Sequence, residues 1–233
     1  MTTTDEVVAF ARTTTPPEAV LERAAAELDR FRRAADTYGE HAVVRALRQA
    51  VPNPESPVWT ACLRGVAAVF DEAAPEWVAV CAAASALKGT DSASAGDAEV
   101  VEATAVGYEV AERVADALGK SHTAAGWCVR ATAGAIGAVV AAGRVLGLDT
   151  ERFRDAVGIC ATQAAGLNQA DGTEVGAVQI GKAASNAVEA VLLAHKGFTS
   201  SAQPLEGRRG MFALLSAEAD VAAVTEKLGV EWR

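Results

Sequence analysis

The chain has 233 residues, of which 51% are hydrophobic, 22% charged and only 5% aromatic, and 54 are alanine. That length can bury one sizeable core without disulfides or a metal, and a mean hydropathy of +0.16 excludes a disordered chain. With 21 Lys and Arg against 30 Asp and Glu the formal charge is −9, so neither nucleic acid nor an anionic membrane surface is an expected partner.

The opening MTTTDEVVAF lacks the basic stretch and apolar run of a signal peptide. Thr15-Pro16-Pro17-Glu18 reads as a capping box with proline in the first turn, and predicts a helix from residue 16 through Leu21, Ala24, Leu28 and Phe31. Further helices are expected over 41–51, 58–72 and 76–87, separated by the proline-bearing stretches VPNPESP and AAPE. The small, polar run over 87–96 reads as a loop or hinge. Helical periodicity returns over 97–118, with Gly119 as terminator. Residues 123–146 are predicted to be the central helix, because Gly134, Gly137 and Gly143 among alanines imply that neighbouring helices approach closely. Asp149 or Thr150 caps a helix to about residue 165, a polar loop follows, and a helix over 177–196 is closed by Gly197. Two short helices finish the chain, with 217–233 forming a C-terminal helix and tail. No segment alternates like a strand, so residues 1–233 are expected to form a single all-α helical domain of nine or ten helices.

Cys62, Cys81, Cys128 and Cys160 are widely spaced and form no CxxC pair, so they read as reduced thiols and zinc is not expected. The most apolar stretch, 131–143, falls short of the roughly twenty residues a bilayer requires, which places the chain in the cytoplasm. Neither a P-loop, a dinucleotide fingerprint nor a GxSxG elbow is present, and no cofactor is expected.

Three stretches resemble the helical domain of the MmgE/PrpD family: GYEVAERVADALG from Gly107, TAGAIGAVVAAGRVLGLD from Thr132, and QIGKAASNAVEAVLLAHKGFTSSAQPLEGRRGMFALLS from Gln179. The last is the most specific, through its IG-x-A start, KGFT turn and following LEGRRG. The resemblance implies an all-helical fold, a homodimer, and cofactor-independent lyase or isomerase chemistry by proton abstraction beside a carbonyl or carboxylate. Family enzymes are much longer and carry a second, α+β domain. The family's ALDxDDxH motif with its following HPS is reduced here to Ala86-Leu87-Lys88-Gly89-Thr90-Asp91, which keeps Asp91 alone and puts Lys88 where an acid is usual. GWH becomes Gly126-Trp127-Cys128, the basic residue before the IG element falls near Gly176, and Gln179 stands where His is common.

Such chemistry needs a base, an acid and cationic donors for carboxylates. His122 matches a frequent family position and titrates near neutrality, which makes it the candidate base; the alternative is a loop histidine that merely bonds backbone. Asp91 is a candidate acid or base, and Cys128 either a reactive thiol or a buried structural one. Arg130 is either a bidentate carboxylate donor or a surface side chain. Trp127, Lys88, Asn168, Gln169, Glu174 and Gln179 are candidate pocket residues, and Arg208 in Gly207-Arg208-Arg209-Gly210 a candidate anion donor. Two readings stay open: an enzyme acting on a small carboxylate or carbonyl compound, and a non-catalytic binding or scaffold subunit that pairs with another protein. Dehydration of methylcitrate itself is not expected, because most of its carboxylate-reading positions are replaced.

Overall fold

The computed structural model describes residues 1–233 except 91, 92 and 94. Ten α-helices follow one another among the described residues, with no named strand: α1 (Thr3–Thr13), α2 (Glu18–Thr37), α3 (Ala42–Ala50), α4 (Pro57–Val69), α5 (Val78–Ala86), α6 (Asp97–Ala124), α7 (Val129–Val145), α8 (Thr150–Ala161), α9 (Glu174–His195) and α10 (Met211–Leu215). Single 3-10 turns cover Asn168–Ala170 and Val221–Val224. The chain is therefore an all-α helical domain. No described helix is long and apolar enough to cross a membrane.

α7 is the axis of the bundle, since its residues from Ala131 to Gly143 are all buried, and α5, α6, α8 and α9 pack around it. Small side chains set the spacing. A Cβ built on Gly107 of α6 would lie 2.7 Å from the Gly137 carbonyl oxygen, and one on Gly137 of α7 would lie 2.5 Å from the Gly107 carbonyl oxygen. The two backbones touch, as the glycines among alanines predict.

Several boundaries differ from the sequence reading. α1 was not anticipated, although Thr2 and Asp5 cap it reciprocally: the Asp5 N–H donates to Thr2 Oγ1 at 3.1 Å and the Thr2 N–H to Asp5 Oδ2 at 3.3 Å. The box expected at Thr15 does not form. Pro17 is the N-cap of α2 in extended backbone, with no side-chain cap, because two consecutive prolines hold the entry extended. The helix expected over 123–146 starts at Val129, since Cys128 is still extended (φ −85°, ψ 106°). Residues 119–124 instead continue α6 beyond a kink at Gly119, whose φ of 62° only glycine adopts without strain. Asp149 caps α8 as expected, by accepting the Arg152 N–H at 2.9 Å. α8 ends at Ala161 rather than near 165, and α9 starts at Glu174 rather than 177, capped by Thr173. Of the expected loop or hinge over 87–96, Asp91, Ser92 and Ser94 lie outside the described residues.

Candidate functional site

Beyond the kink at Gly119, one further turn carries His122, and the chain then reverses through Gly126. Residues 126–128 run antiparallel to 166–168: Cys128 N–H donates to the Gly166 carbonyl and Asn168 N–H to the Gly126 carbonyl, both at 2.9 Å. From α9, Gln179 grips this bridge with both ends of its amide. Its Oε1 accepts the Leu167 N–H at 2.9 Å and its Nε2 donates to the Leu167 carbonyl at 3.3 Å. Both halves of the side chain are thereby used on backbone, so Gln179 shapes the site rather than reaching out of it.

His122 lies behind this bridge with no exposed surface. Its Nδ1 is 2.9 Å from the Leu215 carbonyl at the end of α10, and its Nε2 is 2.8 Å from Thr132 Oγ1 of α7. The carbonyl can only accept, so Nδ1 carries the proton and Nε2 receives the Thr132 hydroxyl. Burial pushes the imidazole pKa down, more than the Leu215 contact raises it, and keeps this neutral form. The Trp127 ring stacks nearly parallel to the imidazole, 12° between planes with centroids 6.3 Å apart. Both ring nitrogens have partners other than a thiol, so the direct Cys128–His122 pair does not form. Cys128 is the buried N-cap residue of α7.

This depressed pKa has a thermodynamic consequence. The unfolded chain takes up a proton on this imidazole near its ordinary pKa of about 6.5, whereas the folded chain does so only at lower pH. The associated stability is complete above about pH 6.5 and is lost as pH falls toward the folded value. Chemical denaturation midpoints should therefore drop between about pH 7.5 and 5.5, with a shallower drop in His122→Gln. Equal slopes in the two proteins would show that His122 is not the group responsible.

In front of the bridge lies the exposed part of the site. The Arg130 side chain is 42% exposed, and its nearest carboxylate, Asp171, is itself 56% exposed at 4.0 Å. Such a contact is worth well under about 1 kcal/mol, so the guanidinium can exchange it for an anion. Asn168 donates weakly to the Thr123 carbonyl at 3.5 Å, Trp127 is half-buried, and Gln169 and Glu174 are exposed. The structure thus gathers His122, Trp127, Cys128, Arg130, Asn168 and Gln179 around one end of α7, with Gln169 and Glu174 exposed on the adjoining chain.

Two candidates lie elsewhere. Lys88 pairs with Asp97 at 2.8 Å, at the N-terminus of α6, roughly 30 Å along that helix from His122. With Arg32 it holds the Asp97 carboxyl below its usual range, an ordinary surface ion pair. Arg208 is exposed in the turn before α10. Asp91 lies outside the described residues. Thr132 is the residue that sequence reasoning missed. A threonine within the alanine run of α7 was the available signal, since a buried hydroxyl needs a partner.

Residues 66–223 match the MmgE/PrpD N-terminal domain. A cis-aconitate decarboxylase from Aspergillus terreus is 39% identical over 116 residues, which cover 49% of this chain and 24% of that protein. A second cis-aconitate decarboxylase, from Aspergillus terreus strain NIH 2624 / FGSC A1156, is 38% identical over 116 residues with the same coverage. The chain thus aligns with about a quarter of the length of these relatives.

Proposed function

Starting from the fact that this chain belongs to the MmgE/PrpD family, we propose that it supplies the helical wall of a cofactor-independent lyase or isomerase site for a small carboxylate- or carbonyl-bearing acid. The observation that carries this reading is that the first turn of α7 holds both a weakly paired cation, Arg130, and, through Thr132, the neutral imidazole of His122. Arg130 receives a substrate carboxylate in place of Asp171, as a two-pronged donor. Asn168 and Gln169 add amide donors, and Trp127 forms the apolar flank.

His122 is the base in this reading. The Thr132 hydroxyl has a second acceptor, the Cys128 carbonyl at 3.1 Å, so rotation about its C–O bond withdraws the hydroxyl proton from Nε2. Once protonated, Nε2–H donates to Thr132 Oγ1 while the Thr132 O–H donates to the Cys128 carbonyl. The pair accommodates both charge states without moving a heavy atom. Access to Nε2 requires the Thr132 side chain, which faces its lone pair, to turn away, as well as the Trp127 ring to yield. Leu167 and Val175, 56% and 63% exposed beside this cluster, are apolar surface for a second wall, contributed by another copy of the chain or by a different protein.

The test is turnover of a panel of small di- and tricarboxylic acids, cis-aconitate included, followed by carbon dioxide release and by absorbance of the new double bond. Removing a general base costs about a hundred- to ten-thousand-fold in rate, and that loss is expected for His122→Gln with its circular dichroism intact. Arg130→Gln should raise KM with a smaller effect on kcat. A His122→Gln protein at wild-type rate would remove the imidazole from the mechanism.

A second reading, a non-catalytic binding subunit, is favoured by one observation: His122 has no exposed surface. It predicts no turnover with any acid and a stable complex with a partner protein. Sedimentation at micromolar concentration distinguishes the two assemblies, since a monomer there argues against the homodimer.

A further inference from the structure

The end of α8 and the segment 199–214 enclose an open cleft of about 1070 Å3, and none of its lining residues belongs to the cluster around Arg130. Its apolar side is built from Ile159, Met211 and Leu214, and Leu214 is 70% exposed. Hydroxyls of Thr162 and Ser201 also line it, that of Thr162 donating to the Ile159 carbonyl at 2.7 Å, and Arg209 is the one charged residue in the lining. Arg209 makes no ion pair among the described residues. Of the nearby acids, Glu206 accepts the Thr4 hydroxyl at 2.6 Å through Oε2 while its buried Oε1 has no hydrogen-bond partner, and Asp155 accepts the Ser200 N–H at 2.8 Å.

The walls are held in place before any ligand arrives. Besides the Asp155 bond, Met211 N–H donates to the Pro204 carbonyl at 2.9 Å and Phe212 N–H to the Leu205 carbonyl at 3.1 Å. Gly158 lets the 199–204 segment lie against α8, since a Cβ there would fall 2.7 Å from that of Ser200. A cleft in which apolar surface faces a single cation, in a chain of net charge −9, is complementary to a molecule with one anionic end. A purely ionic ligand would leave Ile159 and Leu214 wet, and a purely apolar one would leave Arg209 unanswered.

We propose that this cleft binds a small amphipathic anion, with a carboxylate or phosphate head on Arg209 and an aliphatic body along Ile159, Met211 and Leu214. Isothermal titration calorimetry with octanoate, octyl phosphate, octanol and acetate tests it. Octanoate or octyl phosphate should saturate a single site, the tighter of the two naming the head group, with octanol and acetate at least about tenfold weaker. Arg209→Gln should weaken the preferred anion about tenfold and leave octanol unchanged, and Thr162→Trp should crowd the Ile159 end of the cleft and weaken the anion by at least about tenfold. Both positions are exposed, so circular dichroism should match wild type. Octanol binding as well as the anions, indifference to Arg209→Gln, or no saturation would overturn the proposal. So would a Leu214→Asp protein that turns a dimer into a monomer, because the cleft would then be a subunit interface.

Discussion

Arg113→Ala should cost about 3 to 5 kcal/mol of stability, the expected result of leaving one member of a buried ion pair alone. The Arg113 and Glu109 side chains are 1% and 0% exposed, one turn apart on α6, with Nε 2.5 Å from Oε1. The remaining guanidinium donors go to the C-terminal tail. Nη1 reaches the Glu226 carbonyl at 2.6 Å and Nη2 the Glu231 carbonyl at 2.7 Å, with longer contacts at 3.4 Å to Val224 and Lys227. Glu109 uses its second oxygen to accept the Arg233 N–H at 2.8 Å. One ion pair inside α6 therefore gathers carbonyls from the last turns of the chain, which also pack Val224 and Trp232 on the core. Removing the arginine strands the Glu109 carboxylate and those carbonyls together, whereas Glu109→Leu with Arg113→Met should cost less than the two single changes combined. Guanidinium denaturation reads the effect, and the melting temperature should fall by about 10 °C. Amide exchange in residues 221–233 should accelerate. A loss under about 1 kcal/mol would mean that the tail is held by its apolar contacts, such as Trp232 on Phe10, rather than by the arginine.

Substitutions at the glycines of α7 should have opposite signs. At Gly137 a Cβ would meet the Gly107 carbonyl oxygen at 2.5 Å and the Ala111 Cβ at 2.7 Å, atoms of a buried neighbouring helix that cannot yield. Gly137→Ala is expected to destabilise by about 1 to 3 kcal/mol despite its better helix propensity, and Gly137→Val by more, through separation of α6 from α7. At Gly134 the same atom would lie 3.5 Å from the Trp77 ring, which is ordinary contact. There Gly134→Ala should gain up to about 1 kcal/mol, the propensity difference alone. Denaturation midpoints of the two alanine proteins test the pair, and a stable Gly137→Ala would mean that the helices do not touch where their glycines face each other.

The contrast between these two glycines marks how far pattern reaches. An isolated glycine among alanines announces close packing somewhere, but its neighbour is on another helix and is absent from the local pattern. α1 is the opposite case, since its cap at Thr2 and Asp5 and its apolar Val7, Val8 and Ala11 are all local in the sequence. The expected cap at Thr15 failed because two prolines hold the chain extended where the hydroxyl would have to turn back.

Helix content, the identity of α7 as the axis and the cap at Asp149 follow from periodicity and local chemistry, because helical hydrogen bonds close within four residues and faces repeat every 3.6. The family resemblance added His122 and the Gly126-Trp127-Cys128 segment, and Arg130 stood out as a cation within an apolar helix. The state of His122 was not legible, since its Nδ1 partner, the Leu215 carbonyl, is 93 residues away in the chain. The same holds for Arg113, a charged residue on an apolar helix whose carbonyl partners lie 111 to 118 residues further on. A polar side chain's role depends on which distant backbone group packing delivers to it, and burial then decides whether it is charged. Those are properties of the assembled bundle, where a histidine read as a loop residue becomes a neutral, doubly bonded strut and a clamping arginine appears where pattern shows only a break in an apolar stripe.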